Sequence, residues 1–204
     1  MGSKSKRLGK GFEYEVRDLL REATGIQSFE RVPTSGAWIG GQNAYKAQFG
    51  REDVTEIMSG DIICPQGWRW TVECKNEADV PIHQLFLGDK CDKINEYLEQ
   101  VFNSSMTAKK QPLLIMKYRK SGYKLPKRIV EILDEANVSA PKTNSVTLGI
   151  IVAEEVSNSY DISDLNHIYY TAVFSNNTKT SWRFFDIENW FKHINERQFL
   201  NQAD

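Results

Sequence analysis

Apolar residues recur at helical spacing near the start of the chain. Phe12, Val16, Leu19, Leu20 and Ala23 predict an amphipathic helix over 10–23, which Gly25 ends. Glu13 and Glu15 flank this stripe on opposite sides, and periodicity alone does not choose which of them borders the interior. Ser28 to Val32 reads as a short strand. The stretch from Pro33 to Gly41 is rich in turn formers and continues through Tyr45, Lys46 and Arg51 as a long loop. From Gly60 to Lys75 two short apolar strands are joined by Pro65-Gln66-Gly67. Pro81 and Gly88 break the stretch that follows. Ile94, Tyr97, Leu98, Val101 and Phe102 then predict a helix over 92–106, with Gln100 beside its stripe. Leu113 to Met116 is a buried strand, and Pro126 opens a helix through Ile129, Val130, Leu133 and Ala136. Further strands are predicted at 146–152, 167–174 and 182–185, with an acidic loop carrying Glu154, Glu155, Asp161 and Asp164 after the first of them. Asp186 caps a last helix bearing Ile187, Trp190, Phe191 and Ile194. Helices alternating with strands predict an α/β fold.

Composition narrows the class. The chain has 204 residues and a formal net charge of −1, with 40% hydrophobic and 26% charged residues, which suits one globular domain with an insertion. Cys64, Cys74 and Cys91 form no CxxC pair, as expected of reduced thiols in a cytoplasm. His83, His167 and His193 are scattered, which argues against a histidine-rich metal site. No apolar run is long enough for a membrane helix, and no signal peptide is visible, so neither membrane nor export is expected. The near-zero net charge hides two cationic blocks without acids. One is 1–10, with Lys4, Lys6, Arg7 and Lys10. The other is 108–128, with Lys109, Lys110, Lys117, Arg119, Lys120, Lys124, Lys127 and Arg128. Clusters of this kind steer phosphates.

The chemistry concentrates between Gly60 and Lys75. Side chains alternate along a strand, so Glu73 and Lys75 share one face and Cys74 takes the other. Asp61 opens the preceding strand and is expected across from the end of the second. Two carboxylates and an ammonium at a sheet edge suit a hard cation beside a scissile phosphate. An acid-x-Lys triplet alone is what chance supplies; its setting gives it weight. The Gly/Ser loop after Arg31, with its backbone amides and small hydroxyls, suits close approach to a phosphate.

Taken in order, residues 9–119 resemble the PD-(D/E)XK nuclease superfamily, and within it the archaeal and phage Holliday-junction resolvases. Gly9-Lys10-Gly11-Phe12-Glu13-Tyr14-Glu15 is similar to their first-helix motif, Lys-Gly with an acid four residues after the glycine. That match selects Glu15. Arg31-Val32-Pro33-Thr34-Ser35-Gly36 is similar to their Arg…Ser-Gly loop. Gly60-Asp61 stands for Pro-Asp, with glycine replacing the usual proline, and Glu73-Cys74-Lys75 stands for Glu-x-Lys. A helix carrying Gln100 and the strand 112–118 follow in the family's order.

The resemblance implies a restriction-endonuclease-like core, a mixed central β-sheet flanked by helices, with a C-terminal insertion or extension. The organisation it suggests is a basic arm (1–9), a nuclease core (10–122), an insertion with a helix and a β-hairpin (123–180), and a closing strand and helix (181–204). It implies Asp61, Glu73, the Cys74 carbonyl and Glu15 around Mg²⁺ or Mn²⁺, and Lys75 orienting water or neutralising the phosphate. Lys10, Arg31, Ser35, Gln100, Lys117 and Arg119 would contact DNA. The function expected is a Mg²⁺-dependent endodeoxyribonuclease acting as a homodimer on four-way junctions in recombination and repair, without a small-molecule cofactor. The alternatives are a sequence-specific or repair nuclease or exonuclease on the same core, and a non-catalytic DNA-binding protein.

Overall fold

The computed structural model describes residues 2–33, 58–77, 80–81, 83–118, 127–135, 150–155, 167–187 and 190–191. In chain order these form α1 (Gly2–Thr24), β1 (Glu30–Arg31), β2 (Ile62–Ile63), β3 (Trp70–Glu77), α2 (His83–Leu87), α3 (Asp92–Ala108), β4 (Gln111–Tyr118), α4 (Lys127–Glu135), β5 (Ile150–Glu155), β6 (Ile168–Val173) and β7 (Lys179–Asp186). The fold is α/β, a five-stranded mixed sheet in the order β3-β4-β5-β7-β6 flanked by helices, plus a two-stranded sheet of β1 and β2. Two compact units divide the described residues. One holds those of Met1–Lys75 and Glu99–Leu114; the other holds those of Asn76–Leu98 and Ile115–His193.

In the first unit, α1 begins at Gly2, so the basic residues before Lys10 belong to a helix that starts earlier than its apolar stripe. It ends at Gly25, whose φ of 72° is the left-handed value common at helix C-termini and whose N–H reaches Arg21 O at 2.9 Å. Phe12, Val16, Leu20 and Thr24 are buried, while Leu19 is half-buried and Ala23 exposed. The stripe is therefore rotated from the predicted one. Phe29, Trp68 and Trp70 pack edge-on, with ring centroids 4.8 and 5.2 Å apart. Fully buried aromatics of this size dominate a core's energetics.

The turn after β2 is as expected: Trp68 N–H donates to Pro65 O at 3.1 Å, and Gly67 has φ 78°, the type II arrangement that favours glycine. The arms meet where Asp61 N–H donates to Val72 O at 2.8 Å. Yet β2 pairs antiparallel with β1, Arg31 opposite Ile62, in a small sheet separate from that of β3.

In the second unit β7 pairs antiparallel with both β5 and β6. Tyr170, Ala172, Trp182 and Phe184 are buried, and the Tyr170 hydroxyl donates to Asn95 Oδ1 at 2.7 Å and accepts from Cys91 N–H at 3.0 Å. Of the expected strand 146–152, residues 146–149 lie outside the described residues; β5 extends past 152 through Glu154 and Glu155, which the charge pattern assigns to a loop. Glu154 is buried and accepts a bond from Trp190 Nε1 at 3.4 Å. A buried partner for the carboxylate lets strand pairing override its polarity.

Candidate active site

Asp61, Glu73 and Lys75 come together in the first unit, as the strand register predicts. Asp61 and Glu73 are both buried, at 6% and 4% exposure. Cys74 N–H donates to Asp61 Oδ2 at 2.8 Å, which fixes that carboxylate against β3. Lys75 Nζ lies 3.5 Å from Glu73 Oε2. α3 presents two further groups one turn apart: Gln100 Nε2 donates to Glu73 Oε2 at 3.0 Å, and Ser104 Oγ donates to Glu73 Oε1 at 3.3 Å. Each Glu73 oxygen thus has a donor that sets its direction. Gln100, which the resemblance assigns to DNA, is here a donor to the Glu73 carboxylate. Ser104 belongs to none of the sequence motifs, although its i+4 spacing from Gln100 places both on one helix face.

The electrostatics follow from two buried carboxylates sharing one ammonium. Burial first, then the Glu73 charge, pushes the Asp61 carboxyl up from 3.8 to about 8, against the opposing pull of Lys75 and the Cys74 amide. The pair therefore retains a proton at neutral pH. Burial works to lower the Lys75 pKa, but Glu73 and Asp61 outweigh it and hold the ammonium above its usual range. Burial also drives the Cys74 thiol well up, with Asp61, Glu73 and Glu13 adding to it. A thiol so held is inert as a nucleophile.

Such a pair stabilises the fold least where it is ionised. The folded protein keeps a proton on Asp61 that the unfolded chain has lost above about pH 4. Metal-free stability from this group is therefore full below pH 4, falls as pH rises, and is lost above about 8. Thermal unfolding between pH 5 and 8.5 should show a melting temperature lower by several degrees at the high end, and Asp61→Asn should flatten the trend. Equal melting temperatures for wild type across that range would contradict the buried, mutually repelling pair.

On α1 it is Glu13 that borders the buried stripe. The observed stripe of residues 12, 16, 20 and 24 centres about 40° from Glu13 and about 120° from Glu15 at roughly 100° per residue. Glu15, which the resemblance selects, is accordingly exposed. Glu13 is 13% exposed and forms a short ion pair with Arg31, and its charge is among those acting on Cys74. A sequence signal for it exists: Gly9 also has an acid four residues later, and that acid is Glu13.

Arg31 is 11% exposed, bonded to Glu13 and to Pro33 O at 3.2 Å, and sits 5.6 Å from the Tyr14 ring centroid. Lys10 is exposed on α1, and Lys117 is half-buried near the end of β4. Ser35 and Arg119 lie outside the described residues. Among the described residues, no three His, Cys, Asp or Glu side chains group as a ready-made metal cluster. No helix there is long and apolar enough to cross a membrane.

A family model described as "Phage putative PDDEXK endonuclease" matches residues 4–201. The chain belongs to that family. Its mixed sheet flanked by helices is consistent with the core that such nucleases share. Protein D14 of Escherichia phage T5 is 55% identical over 38 residues, covering 19% of this chain and 23% of that protein. The chain thus matches less than a quarter of that relative's length. No solved structure matches it. Nucleases of this superfamily generally use divalent metals, and the donors here fit one. Two buried carboxylates that share a proton at neutral pH offer the hard oxygen donors that a divalent cation takes in exchange for that proton.

Proposed function

We propose that the protein is a Mg²⁺- or Mn²⁺-dependent endodeoxyribonuclease that acts as a homodimer on branched DNA, with four-way junctions as its first substrate. The observation that carries the metal-dependent chemistry is the buried Asp61–Glu73 pair beside Lys75. Asp61, Glu73 and the Cys74 carbonyl would hold the ion, with water filling the remaining positions. Glu13 would join them from α1. A bound divalent cation supplies Lewis-acid polarisation of the phosphate and a lowered pKa for its water.

The protein's own groups then have distinct tasks. Gln100 and Ser104 keep both oxygens of Glu73 aimed, so little reorganisation is needed when the phosphate arrives. The Cys74 amide does the same for Asp61. Lys75 stays protonated and offsets charge that grows on the phosphate oxygens. Arg31, paired with Glu13, would exchange that carboxylate for a backbone phosphate when DNA binds. The preference for junctions rests on the first-helix and Arg31–Ser35 likeness. A symmetric pair of sites facing two strands suits a two-fold dimer.

The test is cleavage of a four-way junction, a flap and a linear duplex of matched sequence, with Mg²⁺. The junction should be cut fastest; equal rates on linear duplex would favour a sequence-directed or repair nuclease of the same fold. In the same assay Glu13→Gln should slow cleavage about tenfold or more, and Glu15→Gln should stay within about threefold of wild type. The reverse ranking would restore Glu15 to the site.

A further inference from the structure

One face of the β6–β7 hairpin has no part in this chemistry and carries an unusual set of side chains. Cross-strand partners share a face, so Tyr169 with Arg183, Thr171 with Ser181, and Val173 with Lys179 stand together. The other face, with Tyr170, Ala172, Trp182 and Phe184, is buried. Tyr169 is 56% exposed. The Arg183 guanidinium lies 5.7 Å from its ring centroid and within 3.4 Å of its hydroxyl. The His167 ring stands edge-on to the same tyrosine at 5.0 Å, and Phe185 backs His167 at 5.6 Å.

From His167 to Phe185 there is no Asp or Glu, although at 27 acids in 204 residues such a stretch would hold about two or three; the half-buried Asp186 that ends β7 alternates with Arg183 and so falls on the face of Trp182 and Phe184. The nearest acid in register, Glu154 opposite Arg183, is buried and accepts from Trp190 Nε1. β6 is also the outer strand of the sheet order. An exposed aromatic supported by an arginine and a second ring, beside hydroxyls and a lysine, with no exposed carboxylate among the described residues of that face, complements a polyanion that carries flat apolar faces.

We propose that this face binds single-stranded DNA, an unpaired base stacking on Tyr169 while Arg183 and Lys179 meet the backbone phosphates. That the strand is DNA rests on the nuclease reading above; the stacking surface rests on the hairpin. It gives the second unit a role that the catalytic residues do not cover: holding bases that are unpaired at a branch or a flap.

The test is fluorescence anisotropy of a fluorescein-labelled oligothymidylate, and of a duplex of equal length, with full-length protein and EDTA present. Wild type should bind the single strand. Tyr169→Ala should weaken that binding about tenfold or more, a loss typical of removing one stacking aromatic. Tyr169→Phe should stay within about twofold, since the ring and not the hydroxyl does the stacking. Arg183→Ala should weaken binding about threefold or more and flatten its salt dependence. Three results would overturn the proposal: no single-strand binding by wild type, unchanged binding by Tyr169→Ala, or equal losses in the Ala and Phe variants. Mg²⁺-dependent nicking of a supercoiled plasmid by wild type separates this from the nuclease reading. Nicking with Tyr169-independent binding sinks the surface alone, and Tyr169-dependent binding without nicking sinks the nuclease alone.

Discussion

Glu73→Gln should reduce DNA cleavage by about a thousandfold or more while leaving junction affinity within a few-fold of wild type. The substitution keeps the shape of the side chain and removes its charge. It therefore leaves a buried site with one carboxylate where the chemistry needs two. Losses of this size are usual when a group that acts on the transition state is removed. The same variant should bring the Asp61 pKa down from about 8, because Glu73 is the second cause, after burial, of its elevation. Lost activity with an unchanged circular-dichroism spectrum would separate a chemical role from a structural one. Residual cleavage above a tenth of wild type would exclude Glu73 from the chemistry.

Gly60→Ala should be more damaging than alanine at Gly9, Gly11, Gly25 or Gly88, where an added Cβ meets nothing within 4 Å. Gly60 has φ 86°, a conformation that side-chain-bearing residues rarely adopt, and a Cβ there would lie 2.6 Å from Val72 O and 3.0 Å from Thr71 Cγ2. Val72 O is the acceptor of the Asp61 N–H. Relief of the clash must therefore displace the backbone bond that seats Asp61. Strain of this kind costs about 1–3 kcal/mol before the overlap is counted. The melting temperature should fall by roughly 5–10 °C, and cleavage should drop with it because Asp61 moves. Gly60→Pro, which restores the residue usual in the resolvases, should be worse. Proline fixes φ near −65°, far from the observed angle. If Gly60→Pro folds and cleaves normally, the backbone here is not the one described.

The departure from Pro-Asp at Gly60 thus has a physical reason that lies in three dimensions. The sequence names the glycine but not the carbonyl pressed against it. Much else is legible in the chain. α3, β4 and β7 carry apolar periodicity strong enough to place them within a few residues. The alternation along β3 is enough by itself to put Glu73 and Lys75 on one face. Where sequence and structure part, the causes are identifiable. Leu19 and Ala23 join the predicted stripe of α1 because they are apolar, yet they lie half-buried and exposed. Including them turns the stripe until Glu13 and Glu15 are equivalent; burial of Thr24 turns it back. β2 is two residues long, too short to declare its partner, so its pairing with β1 has no sequence signature. Charge at Glu154 and Glu155 outweighs the β-branched run before them and points to a loop, and a buried bond to Trp190 reverses that balance. Gln100 stands out in the sequence, but nothing in its spacing reveals the distance to Glu73, so the resemblance gives it to DNA.

If Asp61 and Glu73 together hold a divalent cation, calorimetric titration of Mn²⁺ into metal-free protein at pH 7, in two buffers of different ionisation enthalpy, should show it. Binding should be saturable with release of a proton, because the ion displaces the one that the carboxylate pair shares, and both binding and release should be lost in Asp61→Asn and in Glu73→Gln. Wild-type protein that takes up no Mn²⁺, or variants that bind it as wild type does, would contradict a cation held by that pair.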